Sequence, residues 1–358
     1  MGKRKHRVKP YKDYFDITHM IDTAKEKHLA FVFAVSEDKE RGCGKTYSSA
    51  AYFLKQFHKE GERVMIFVRE VKELGKIAEG IFDAVLANEY PTATVYEKKM
   101  ENIFSTIYIT EGTGEDKNTD ILGWVVPLKN ARNLKQYRGL FLAGNVRYFY
   151  MDEFMPLDGK YLKDETDLMK TIYDTVNGKV EDLPIIMTAN CINIGNPYFT
   201  LPGVKLTSKI QSTTRSITTD TCIYENVCVE GLADKHMNSA ANKAFGKNTT
   251  EYVNNSWIGD NDSLVCKPDG FGRGNYICTL VYNTQRYGVY SYPSVGLCYI
   301  STTVDNSSPY VYNLTMEGEL NIPLLKSCPF LKSLKEWFYR GEVRVANGSI
   351  QRMLLDTL

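Results

Sequence analysis

The segment Lys39-Glu40-Arg41-Gly42-Cys43-Gly44-Lys45-Thr46 carries the residue types that hold a polyphosphate. Gly42 and Gly44 let backbone N–H groups turn inward, the Lys45 ammonium reaches the β and γ phosphates, and the Thr46 hydroxyl can ligate a divalent cation. The candidate contacts are Arg41, Gly42, Cys43, Gly44, Lys45 and Thr46, and the implied ligands are ATP and Mg2+. The usual form of this loop opens on Gly. Lys39 stands in that place, which leaves a wider entrance. Read alone, the segment also fits a Gly-rich turn with a solvated lysine.

The second half of such a site lies downstream. The apolar run Val146-Arg147-Tyr148-Phe149-Tyr150-Met151 ends in Asp152-Glu153. An acid at the C-terminal end of a strand, well past a phosphate loop, is the Walker B position, where Asp152 contacts Mg2+. Glu153 is then placed to orient and deprotonate a water molecule, which a hydrolase needs and a simple phosphotransferase does not. Asp-Glu is also an ordinary signal for a turn or a helix start. A later run, Pro184-Ile185-Ile186-Met187-Thr188-Ala189-Asn190, ends on polar residues, and Thr188 or Asn190 can register the γ-phosphate.

These residues need elements to hold them. Leu29 to Val35 predicts a buried strand before the loop, and Tyr47 to Lys59 an amphipathic helix after it, with Ala50, Phe53, Leu54 and Phe57 on one face. The phosphates then meet a helix N-terminus. Further strands are predicted at Arg63–Val68, Phe104–Ile109 and Ile121–Val126, and a helix at Tyr161–Val176. Lys45 and Asp152 are 107 positions apart, which leaves room for strands between the two motif strands. Together with the second acid, this predicts an α/β fold of the additional-strand P-loop ATPase kind, a mostly parallel sheet between helices. A smaller α+β domain follows. The division is residues 1–230 for the ATPase domain, 231–256 for a linker and 257–358 for the second domain.

Composition narrows the class. A chain of 358 residues exceeds the usual single domain, and 43% hydrophobic content supplies real cores. A formal charge of +1 excludes a surface that grips nucleic acid everywhere, so any such contact is local. One local excess is the run of Lys3, Arg4, Lys5, Arg7, Lys9 and Lys12. The eight cysteines form no Cys-x-x-Cys pair and the five histidines lack ligand spacing, which argues against a zinc site or a disulfide framework. No apolar stretch approaches the ~18 residues of a membrane span, so no membrane partner is expected, and the thiols suit a reducing cytoplasm.

The phosphate loop, Phe67-Val68-Arg69 with Lys72, Gly123 to Leu128, Met151 to Phe154, Asp174-Thr175-Val176 and Asn190 through Phe199 occur in one order. So do Trp257 to Asp260, Leu280 to Asn283, Tyr287 to Tyr290 and Gly296 to Ile300. Over nearly the whole chain this resembles the DNA-packaging (encapsidation) ATPase of small, protein-primed short-tailed phages, a terminase-like ring motor. The resemblance implies a homopentameric ring at the portal (connector) vertex of a capsid, driving double-stranded DNA inward with ATP. A structural RNA is a further candidate partner. It also implies a basic residue reaching a neighbour's phosphate. The position where the family can carry that Arg falls on Gly178, with Lys179 beside it, so Lys179 is a candidate and Arg132, Lys135 and Arg138 compete with it. Lys72 matches the family's Lys after the second strand and is a candidate for the nucleotide pocket.

Past residue 256, Tyr276–Tyr282, Tyr287–Tyr292 and Gly296–Ser301 predict a β meander, and Phe330, Leu331, Leu334, Trp337 and Phe338 a helix. By resemblance this is a ribonuclease-H-like, vestigial nuclease domain. Two-metal cleavage needs converging carboxylates, and Tyr276–Tyr282 contains none, so nuclease activity is expected to be absent. Lys267, Arg273 and Arg286 are candidate phosphate contacts. A helicase, a remodelling factor or a non-catalytic assembly factor are the alternatives to packaging.

Overall fold

Runs such as Phe31-Val32-Phe33-Ala34-Val35 and Ile185-Ile186-Met187 do not alternate apolar with polar residues. Their strands must therefore be covered on both faces, the condition of a parallel sheet flanked by helices. The computed structural model of the protein describes residues 14–36, 42–112, 114–156, 161–178, 182–190, 196–206, 209–210, 214–244, 268, 270–282, 285–315, 321–324, 329–339 and 342–357. Two compact units emerge. One draws on Met1–Met155, Leu162–Cys191 and Thr214–Val253, the other on Pro156–Tyr161, Ile192–Thr213 and Asn254–Leu358.

In the first unit the elements run α1 (Thr18–Glu26), β1 (Phe31–Ser36), α2 (Lys45–Glu60), β2 (Arg63–Val68), α3 (Ile77–Glu89), β3 (Thr94–Met100), β4 (Phe104–Glu111) and β5 (Asn118–Pro127). After a 3-10 stretch over Leu128–Tyr137 come α4 (Arg138–Ala143), β6 (Val146–Met151), α5 (Glu165–Val176), β7 (Ile185–Asn190), β8 (Ser216–Thr218) and β9 (Cys222–Val227). Two short helices, α6 (Leu232–Asn238) and α7 (Ala240–Ala244), occupy part of the stretch expected as a linker. The nine-stranded sheet has the order β3-β4-β5-β2-β6-β7-β1-β9-β8. From β5 to β9 every pairing is parallel, and β3, β4 and β8 add antiparallel margins.

One strand, β7, lies between the loop strand β1 and the metal strand β6. The long insertion before β6 does not supply it. Those residues build β2 to β5 on the far side of β6, and the intervening strand comes later in the chain.

Both faces of the sheet are covered. On one, Met20 and Ile21 of α1, Ala50 and Phe53 of α2 and Phe82 of α3 share a core with Val32, Val64, Tyr148 and Tyr150. Phe53 lies 5.7 and 5.4 Å, ring to ring, from Tyr148 and Tyr150. Full burial of such a side chain contributes about 1.5–3 kcal/mol. On the other face Tyr173 of α5 packs on Phe149, at 4.9 Å between centroids, and Phe141 of α4 on Trp124.

The second unit has its own five-stranded sheet, formed by β10 (Asn275–Tyr282), β11 (Gln285–Tyr292), β12 (Leu297–Ser301), β13 (Val311–Asn313) and β14 (Val343–Val345). The meander β10-β11-β12 is antiparallel, while β13 runs parallel to β10 and β14 parallel to β12. Helices α8 (Pro329–Tyr339) and α9 (Gly348–Thr357) place Leu334, Phe338, Ile350 and Leu354 in a core with Leu280, Val289 and Ile300.

Gly123 sits where β5 changes register against β4 and pairs with Val64 of β2. A Cβ there would stand 2.0 Å from the Val64 carbonyl oxygen, a rigid backbone atom. Gly123→Ala is expected to destabilise the first unit by about 1–3 kcal/mol, read as a lower urea midpoint at unchanged slope.

Candidate nucleotide and metal site

Three parallel strand ends converge at the N-terminus of α2. Ser36 and Asn190 are register partners at the C-terminal ends of β1 and β7. The Ser36 hydroxyl donates to Asn190 Oδ1 at 3.0 Å. Gly44 caps α2 with φ +100°, a left-handed turn that suits glycine, so the chain can bend and enter the helix directly at Lys45. Gly42 has φ +82°. Helix α2 forms as its apolar spacing predicts, and ends at Gly61, also left-handed.

Lys45 is buried, 8% exposed. Its Nζ donates to Ser36 Oγ at 2.5 Å, to Asn190 Oδ1 at 3.2 Å and to the Cys43 sulfur at 3.6 Å. Every one of those acceptors is neutral. Among the described residues no carboxylate reaches this buried ammonium, and such a cation is favourable only with an anion beside it, so the cradle fits a phosphate.

Asp152 is bound on both oxygens. Thr46 Oγ1 donates to Oδ2 at 2.9 Å, Thr188 Oγ1 to Oδ1 at 2.6 Å, and the Glu153 N–H to Oδ1 at 3.0 Å. A hydroxyl has one proton, and Thr188 commits its own to Asp152. The Tyr150 hydroxyl, 3.0 Å from Thr188 Oγ1, must therefore donate to it. Burial pushes the Tyr150 phenol well above its ordinary range, which keeps that proton in place. The hydroxyl of Thr46 and the carboxylate of Asp152 form an all-oxygen donor set suited to Mg2+.

Glu153 follows in a left-handed turn, φ +47°. Its side chain is exposed, and Asn190 Nδ2 donates to its Oε1 at 3.1 Å. Asn190 thus bonds Ser36 and Lys45 through its oxygen and Glu153 through its nitrogen. Beside Gly42 and Gly44 opens a cleft of about 620 Å3, whose walls include Tyr14, Tyr47, Asn88 and Tyr90. Its volume falls in the range of small-molecule sites.

Of the residues singled out in the sequence, Lys45, Thr46, Asp152, Glu153 and Asn190 come together, with Cys43 beneath Lys45. Arg41, Lys179 and Lys267 lie outside the described residues, as do Lys39, the basic run before Asp13 and Trp257–Asp260. Lys72 is exposed on a 3-10 turn, Val71–Glu73, and Arg138 is exposed at the start of α4. Among the described residues no hydrogen bond or ion pair joins either to the cluster. Ser36 was not foreseen, although a polar residue ending an apolar run before the loop is a usable signal. Arg69 and Glu165, which flank the Glu153 turn, were also missed as site residues.

A family profile described as "Podovirus DNA encapsidation protein (Gp16)" matches residues 13–356. The chain is 27% identical over 334 residues to the DNA packaging protein of Bacillus phage phi29, covering 88% of this chain and 90% of that protein. It is 26% identical over 321 residues to the DNA packaging protein of Bacillus phage B103, covering 86% and 90%. Among solved structures, the Phi-28 gp11 DNA packaging motor superposes with a TM-score of 0.50 at 16% identity over 96% of each chain, a likeness of fold.

Replacing the buried Lys45 charge tests the cradle. Lys45→Met is expected to raise the melting temperature of the ligand-free protein by a few degrees, because a buried cation gives way to an apolar chain of similar length. The same variant should lose the upward shift that Mg-triphosphate gives the parent.

Proposed function

The chain belongs to the podovirus DNA encapsidation protein (Gp16) family, and on that premise we propose that it is an ATP-hydrolysing motor that drives double-stranded DNA into a preformed capsid. The observation that carries this reading is the convergence of Lys45, Thr46, Asp152, Glu153 and Asn190 at the ends of three parallel strands. Triphosphate binds with its β and γ groups against Lys45 and the start of α2, and its base and ribose enter the cleft beside Tyr14, Tyr47 and Tyr90. Thr46 and Asp152 would hold Mg2+, which would supply charge neutralisation to the phosphate oxygens. Glu153 takes the proton of the attacking water. Asn190 bonds both Lys45 and Glu153, so it feels the change when Lys45 turns to an anion. The topology, with β7 between β1 and β6, supports the additional-strand P-loop class.

The subunits act as a homopentameric ring at the portal, with a structural RNA as a further partner, in the host cytoplasm. Among the described residues no helix is long and apolar enough to cross a membrane. A basic residue of one subunit completes the next subunit's site. Arg138 is exposed and forms no ion pair among the described residues, and Lys179, Arg41 and Lys72 are further candidates for phosphate contact. Arg is the better clamp because its planar fork matches phosphate oxygens. The five-stranded unit binds DNA or portal through exposed Arg273 and Arg286. The meander and the parallel strand beside β10 support the ribonuclease-H-like reading. No carboxylate lies on β10, and Asp305 accepts from Ser307 N–H within its own turn, which supports the reading of a unit without DNA cleavage.

Glu153→Gln is expected to keep Mg-ATP binding while hydrolysis falls about 10²–10⁴-fold, measured as phosphate release. A parent protein that binds no Mg-ATP in calorimetry, or hydrolyses none, overturns the reading. Hydrolysis per subunit should rise with protein concentration as shared sites assemble, and duplex-stimulated turnover should weaken steeply with salt.

A further inference from the structure

The Glu153 turn is held by a device that lies outside the phosphate and metal contacts. Arg69, immediately after β2, directs its guanidinium at four acceptors among the described residues. Its Nε and Nη2 form a forked pair with Glu165, at 3.0 and 2.9 Å. Nη2 also donates to the Phe154 carbonyl at 2.6 Å, and Nη1 to the Glu153 carbonyl at 3.3 Å. The pair is dry, with side chains 15% and 1% exposed. Glu165 begins α5, where the helix dipole favours an anion, and its Oε2 also accepts the Leu162 N–H at 2.8 Å.

A non-glycine residue at φ +47° persists only where its surroundings over-determine it. Here the Asp152 carboxylate takes the Glu153 N–H, the Thr188 carbonyl takes the Phe154 N–H at 3.2 Å, and Arg69 takes the two following carbonyls. Remove the last of these and the turn can relax toward right-handed φ. The Glu153 Cα–Cβ bond then swings away from Asn190. Only a planar fork fixed by a bidentate partner can serve both carbonyls and a carboxylate at once.

We infer that Arg69 is a positioning residue for hydrolysis: fixed by Glu165, it sets the direction of the Glu153 carboxylate without touching nucleotide. This deepens the proposed ATPase reading and rests on it. Arg69 acts on the chemical step through Glu153, so its loss lowers turnover and leaves nucleotide binding in place.

The test is a cycle of variants in full-length protein. Arg69→Lys keeps a cation beside buried Glu165 and so preserves the fold, while losing the fork. Arg69→Gln/Glu165→Gln removes both charges together and is the second variant. Each should lower kcat for Mg-ATP about 10–100-fold with KM within about twofold of the parent. Adding either to Glu153→Gln should lower kcat by less than about twofold further, because groups acting through one another are not additive. A full multiplicative loss on the Glu153→Gln background overturns the inference, as does a raised KM at unchanged kcat, or parent-like kinetics in both variants. A parent protein without hydrolysis fails the ATPase reading instead, before the variants are compared.

Discussion

The constraint on which the site depends is the Lys45 ammonium, enclosed by a hydroxyl, an amide oxygen and a thiol with no carboxylate among them. The acids of the site are kept off it. Asp152 is saturated by Thr46, Thr188 and a backbone N–H, and Glu153 is held by Asn190 nitrogen. That separation leaves one cationic position and one oxygen-rich position side by side, which is the charge pattern a magnesium–triphosphate complex complements. An ion pair between Lys45 and either acid would stabilise the empty protein and compete with ligand. Among the described residues neither acid pairs with the buried Lys45 ammonium.

Much of this was legible in the sequence, and the parts that were share a physical character. Strands β2 and β6 are continuous apolar runs, and the structure places them at Arg63–Val68 and Val146–Met151, as read. Helix α2 announces itself through glycine, lysine and a regular apolar face. Thr188 and Asn190 were offered as alternatives. Both reach the cluster, because residues two apart on a strand project to the same side, one to Asp152 and the other to Lys45 and Glu153.

What stayed illegible depends on tertiary partners. Strand β9 contains Glu225 and Asn226, which break its apolar pattern. Glu225 is nonetheless 2% exposed, because His19 of α1 meets it at 3.0 Å and is itself held above its ordinary pKa chiefly by that bond. Strand β3 reads Glu97-Lys98-Lys99 because it is the outer edge of the sheet, and charge there discourages pairing with other chains. The contact of Arg69 with Glu165 spans 96 positions, and no local pattern announces it.

The placement of β7 between two strands that precede it in the chain has a consequence for biosynthesis. Ser36 and Asn190, which bond across that junction, are 154 positions apart. On a ribosome, the earlier strands emerge with a gap at the centre of their sheet, and nothing closes it until Asn190 has been translated and has left the exit tunnel. Pairing at such sequence separation is intrinsically slow. Nascent and truncated chains therefore lack the Ser36–Asn190 junction, which forms only once β7 is complete.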